Sequence, residues 1–250
     1  MKKIIAMLLA LVTVCCLFGC ANTDAGNNTT TAATTEATTE ATTEATINED
    51  DIMSYDEYIA AELETEVTVA CWVQATQSWW DNKITVYAAD ENGAYFLYEM
   101  ACSEEDAAKL TPGTLIKVTG TKSAWAGEVE IMEATFEFVA DAEVFIVDAE
   151  DLTNMLGSDE IINYQNQLVA FTGLTVKELS FKNDGGDDIY VTLTKDGKDY
   201  NFCVEVYLTG TDSDVYKAVA ALKAGDVVDV ECFLYWYEGM NPHIVGITAA

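Results

Sequence analysis

Apolar and polar residues alternate through much of this chain with a period of two. Val67, Val69, Cys71 and Val73 alternate with Thr68, Ala70, Trp72 and Gln74, which is the pattern of a half-buried strand. A loop over 77–82 follows, then strands over 84–89 and 94–100 separated by Asn92-Gly93. Asn-Gly supplies the positive φ that a tight hairpin needs. Residues 103–110 predict a short helix, with Ser103 as its N-cap and Asp106 three positions on. Pro112-Gly113 ends that helix, and strands over 115–120 and 128–138 complete the series. A further short helix is expected over 54–62, ahead of the first strand.

The same order then recurs. Strands are expected over 168–176, 189–194, 200–207, 226–235 and 243–248, with a helix over 212–222. Leu110-x-x-Gly113-x-x-Ile116-x-Val118 matches Leu222-x-x-Gly225-x-x-Val228-x-Val230, the mark of an internal repeat. Residues 141–163 bridge the copies, with a short strand at 144–147 and helical character at 151–156. The order strand-strand-strand-helix-strand-strand, together with the Leu-x-x-Gly segment, resembles the OB-fold family. The resemblance covers about 55–139 and 164–248. It implies a mainly β chain of two tandem five-stranded barrels, 54–140 and 164–250, each with one short helix between strands three and four. Two small open β-sandwiches of the same strand count are the alternative.

The N-terminus reads as an address. Lys2 and Lys3 precede an apolar run from Ile4 to Phe18, too short for a span of about 20 residues and suited to a signal segment. Leu17-Phe18-Gly19-Cys20 resembles the lipobox of bacterial lipoproteins. That resemblance implies cleavage after residue 19 and a lipid on Cys20, tethering the chain to the extracytoplasmic face of a bacterial membrane. Phe18 is bulkier than the residue usual there. Residues 20–53, built around Thr-Thr-Glu-Ala repeats through Glu36, Glu40 and Glu44, bury too little apolar surface to offset ordering and predict a disordered spacer. The whole chain resembles bacterial lipoproteins with tandem OB-like modules.

Charge and composition then narrow the function. The 250 residues carry 43 acids against 12 bases, all of them Lys, for a net charge of −31. Phosphate-backbone binding draws its affinity from Lys and Arg, so the expected partners exclude nucleic acid. The single histidine, His243, excludes multi-histidine zinc sites. No nucleotide-loop or nucleophile-elbow motif occurs, and neither a cofactor nor catalysis is expected. The run Asn183-Asp184-Gly185-Gly186-Asp187-Asp188 clusters oxygens but lacks EF-hand spacing, and reads as a solvated turn. Cys71, Cys102, Cys203 and Cys232 are either buried thiols, which their apolar alternation favours, or disulfides, which export permits.

The resemblance places a ligand face on strands two and three and the loops flanking them. In the first copy those loops hold Trp79, Trp80 and Trp125, while Trp72 and Tyr87 fall on outward-alternating positions. A continuous aromatic surface there suits a glycan or an extracellular protein. The expected function is accordingly a monomeric, non-catalytic cell-surface binding module, with an assembly role in a cell-envelope complex as the alternative. The competing reading has the loop Trp residues plugging the barrel or packing on the second unit.

Overall fold

Two closed pairings organise the described chain, and each depends on one strand long enough to serve two neighbours. The computed structural model describes residues 51–183 and 186–250 and the backbone of 44–45. The signal segment, Cys20 and the Thr/Glu repeats through Glu40 lie outside the described residues. The first sheet contains β1 (Glu44–Ala45), β2 (Glu66–Thr76), β3 (Lys83–Ala89), β4 (Ala94–Ala101), β5 (Leu115–Trp125) and β6 (Glu128–Val139). β2 pairs with β5 over Glu66–Trp72 and with β3 over Trp72–Thr76. A register shift between Val73 and Ala75 bends it between the two partners. β6 pairs with β5 and touches β4 at Leu97–Ile131, so β2 to β6 form a closed five-stranded barrel. Val67, Val69, Cys71, Val73, Leu97, Ile116 and Val118 fill it.

A second sheet follows, ordered β11-β12-β10-β9-β8-β7. Its strands are β7 (Glu150–Asp151), β8 (Leu168–Phe181), β9 (Ile189–Lys195), β10 (Lys198–Val204), β11 (Val227–Phe233) and β12 (His243–Ala249). The long β8 pairs with β11 near its start and β9 near its end. Phe171, Leu174, Leu193, Phe202 and Val230 build its core. The chain is therefore mainly β with few and short helices, as the alternation predicts. Both sheets belong to one compact unit, Ala41–Ala250.

The helices follow their caps. α1 (Tyr55–Ala60) starts at Ser54, which accepts from Glu57 N while the Glu57 side chain accepts from Ser54 N. Its far end is held by buried Lys122, whose Nζ donates to the carbonyls of Tyr58, Ile59 and Ala61 at 2.8 Å each. α2 (Glu104–Ala107) is capped by Ser103 and is shorter than the expected 103–110. In the second sheet two helices replace the single one expected, α3 (Val206–Thr209) and α4 (Asp214–Ala220), the latter capped by Ser213.

Three boundaries depart from the sequence reading. The spacer was expected to be disordered to residue 53, but Glu44–Ala45 pairs with β6 in parallel and Met53 N donates to Thr68 O at 2.8 Å. No strand forms at 144–147, because side chains of β2 take its backbone groups. Trp72 Nε1 donates to Glu143 O at 2.8 Å, and Gln74 bonds Phe145 O and Val147 N. The third strand of the second copy was expected to reach residue 207 but stops at Val204, where α3 begins.

Candidate functional site

The surface that the sequence reading assigned to a ligand is where the two sheets meet. Every residue of β3 after Lys83 is buried, so its outward face is covered as fully as its inward one. Tyr87 stacks on Phe233 with centroids 4.2 Å apart and 11° between planes. Phe96 packs on Tyr87 and Tyr235. The Tyr87 hydroxyl and His243 Nδ1 lie 3.0 Å apart in a buried hydrogen bond. Burial lowers the His243 pKa to about 4, so its imidazole is neutral at pH 7.

A second contact joins the sheets further along. Glu128 is fully buried, and its Oε2 accepts from Trp236 N at 2.7 Å. Burial raises its pKa to about 8, opposed in part by that bond and by the neighbouring Asn166 side chain. Asn166 Nδ2 donates to Val129 O, but Glu128 Oε1 and Asn166 Oδ1 have no hydrogen-bond partner. Burial of the Glu128 carboxyl thus favours its protonated, uncharged form. Gly127 lets Trp236 approach, since a Cβ there would stand 2.8 Å from Trp236 Cδ1.

Beside this interface the sheets leave an open cleft of about 770 Å³. The first barrel contributes the loop from Gln77 to Trp80 and residues of β3 and β4; the second sheet contributes the β8–β9 and β11–β12 loops and the β10–α3 junction. The loop tip is a tight turn, with Asp81 at φ 48° and Asn82 at φ 60° and mutual backbone bonds between Trp80 and Lys83. It leaves Trp80 80% exposed. Tyr98, Tyr190, Tyr207 and Tyr237 are exposed rings of the same cleft. Tyr235 stacks on His243 at 4.5 Å. Ser78 N and Oγ both donate to Tyr207 O, fixing the two walls to each other.

The charged groups of the cleft are mostly paired. Lys83 bonds Glu99 at 2.6 Å and Lys182 bonds Asp188 at 2.9 Å. Asp188 also accepts from Val206 N. Glu205 accepts from the Gln77 amide at 2.7 Å and lies 3.6 Å from His243 Nδ1. Burial, followed by the Asp188 charge, raises its pKa to about 7. The Cys203 thiol is pushed up to about 12 by burial.

Of the five aromatic residues expected to form one ligand surface, only Trp79 and Trp80 line this cleft. Trp79 is half-buried against the first-barrel core and donates Nε1 to Cys102 O at 2.9 Å. Trp72 packs on Phe145 across 5.2 Å. Tyr87 has no exposed surface. Trp125 is 63% exposed but ends β5 away from the cleft. A continuous surface of all five is therefore ruled out: the second sheet and the bridging segment cover Tyr87 and Trp72. All four described cysteines are free and buried, which favours the thiol reading. The oxygen-rich turn has Asp184 and Gly185 outside the described residues, and Asp187 and Asp188 are engaged by Asn183 and Lys182. Cleft residues that sequence reasoning missed include Glu205, Tyr190 and Tyr207. The signal for them was weak, since they are scattered over β9 and the start of α3.

No protein-family description and no curated protein matches the chain. Among solved structures it is similar to a murine DNA binding protein bound with ds DNA, at 10% identity and a TM-score of 0.37, covering 73% of this chain and 96% of that one. It is also similar to p202 HIN1 in complex with 12-mer dsDNA, at 14% identity and a TM-score of 0.35, covering 73% and 92%. A replication protein A heterotrimer bound to ssDNA is similar at 15% identity and a TM-score of 0.32, covering 74% of this chain and 48% of that one. These proteins are described with DNA, and none with a glycan or an extracellular partner. The expectation of a glycan or extracellular-protein ligand, the alternative of an envelope assembly role, and the exclusion of nucleic acid on charge alone are not carried further.

Proposed function

We propose that this chain is a non-catalytic binding protein made of two OB-type barrels in tandem, and that its inter-sheet cleft captures a small ring-bearing organic molecule. The observation that carries the reading is the clustering of exposed rings from both sheets around one concavity of about 770 Å³, within the range usual for small-molecule sites. The tandem assignment is supported by the matching pairing order, in which β2 and β8 each return to the fourth strand of their own set. The ring faces stack on a planar ligand, while Gln77, Ser78 and Asn241 offer donors and acceptors at the walls. The non-catalytic part is supported by the chemistry of the cleft, where Cys203 keeps its proton and His243 is bound to Tyr87. The lipobox resemblance supports a membrane-surface location through a lipid on Cys20.

The test is tryptophan fluorescence titrated with benzyl compounds and nucleosides, alongside a single-stranded oligonucleotide. A saturable shift with a small ring compound, lost in Trp80→Ala and Tyr207→Ala, supports the reading. Saturable binding only to the oligonucleotide, weakening steeply with salt, would assign the cleft to nucleic acid. Small-ligand shifts untouched by both substitutions would remove the cleft from consideration.

A further inference from the structure

We infer that the molecule this cleft takes is an organic cation, and that Glu205 is the residue that selects it. The inference rests on the reading of the cleft as a small-ligand site and adds its charge. The two lysines lining the cleft are each matched to a carboxylate, Lys83 to Glu99 and Lys182 to Asp188. Glu205 is the lining carboxylate left without a cationic partner. Its hydrogen bond comes from the neutral Gln77 amide, and the imidazole 3.6 Å away is uncharged at pH 7. Around it lie Asp188 and Lys182 from the β8–β9 side, Cys203 from β10, His243 from β12, Tyr235 from the β11–β12 loop and Tyr87 from β3. Of these, Lys182 is the one cation, and it already serves Asp188.

The rings point the same way. Tyr98, Tyr190, Tyr207 and Trp80 present exposed faces, and an aromatic face attracts a cation through its quadrupole. A neutral ring would gain from the stacking alone. An anion would meet Glu205 with no free lysine in the wall to offset it. Binding a cation also favours the ionised carboxylate. The Glu205 pKa of about 7 therefore falls on binding and the protein releases part of a proton.

The experiment is titration calorimetry at pH 6, 7 and 8 with three probes of one shape class: benzyltrimethylammonium, neutral benzyl alcohol and benzoate. The cation is expected to bind at least about tenfold more tightly than the alcohol, and to tighten by roughly tenfold between pH 6 and pH 8 as Glu205 ionises. Glu205→Gln retains an acceptor for Gln77, and the alcohol is the reference probe for that variant. In that variant the cation should fall to the level of the alcohol and lose its pH dependence. Equal affinity for alcohol and cation in the parent protein would overturn the charge inference and leave the ring-binding reading standing. A cation preference that survives Glu205→Gln would overturn the role of Glu205. Failure of all three probes to bind would remove the small-ligand reading and this inference with it.

Discussion

Replacing Glu128 with Gln should stabilise this protein, and increasingly so as pH rises. Glu128 is fully buried at the contact between the sheets, with one oxygen bonded to Trp236 N and the other without a hydrogen-bond partner. Its pKa in the folded chain is about 8, against 4.5 for the ordinary group. A raised acid pKa means that the unfolded chain gives up the proton first. The stability linked to this group is complete below about pH 4.5, declines as pH rises, and levels off above about pH 8. The full shift corresponds to about 5 kcal/mol, and the part falling between pH 5 and pH 9 to about 4 kcal/mol. That is a large share of the 5–15 kcal/mol typical of a domain. Gln keeps an acceptor for Trp236 N, so Glu128→Gln retains that bond and abolishes the ionisation. The assay is denaturant unfolding of parent and variant at pH 5, 7 and 9. The two should nearly coincide at pH 5 and diverge by about 4 kcal/mol at pH 9. A difference that does not change with pH, or a variant less stable at pH 9, would refute the assignment of a buried proton to Glu128.

Other substitutions probe the remaining contacts. His243 has a folded pKa of about 4 against 6.5, so its contribution is present above pH 6.5 and lost as pH falls towards 4. His243→Gln should flatten the acid limb of the stability profile measured by the same denaturation. Tyr87→Phe removes the hydroxyl that bonds His243 and should cost about 1–3 kcal/mol by leaving Nδ1 without a partner, readable in thermal unfolding. Lys122→Met leaves three carbonyls at the end of α1 uncapped and should cost about 1–3 kcal/mol, with faster hydrogen exchange over 55–61. Cys71, Cys102, Cys203 and Cys232 should each be modified by a thiol reagent only after denaturation, as read at these four sites by peptide mass mapping. Fewer than four would mean that a disulfide has formed.

What the sequence made legible was whatever depends on neighbours along the chain. Strand alternation at Val67 to Val73, the Asn92-Gly93 hairpin and the Ser103 and Ser213 caps are local rules, and the structure follows them. Tyr87 shows where local rules stop. Its alternation correctly points away from the barrel interior, but outward there means toward Phe233 and His243, not toward solvent. Trp79 and Trp80 are adjacent in one polar loop and still part, one packed on the core and the other 80% exposed. The segment 144–147 has the composition of a strand, but Trp72 and Gln74 side chains occupy the backbone groups a strand would use. Glu128 and Glu205 were two acids among 43. Nothing in their sequence surroundings separates them from solvated neighbours, because burial of each is created by residues far along the chain.

The stacked contact of Tyr87 and Phe96 with Phe233 and His243 also governs the order in which the chain can mature. The bonded pair Tyr87 and His243 are 156 positions apart, so the first barrel can close its strands well before its outer β3–β4 face has anything to rest on. During synthesis that face stays bare, presenting Tyr87 and Phe96 to whatever is nearby, until β11 and β12 arrive. Long-range contacts of this kind slow folding, and exposed apolar faces invite association in the interval. A chain interrupted before residue 233 would leave Tyr87 and Phe96 without that cover, an apolar face of the kind that invites association.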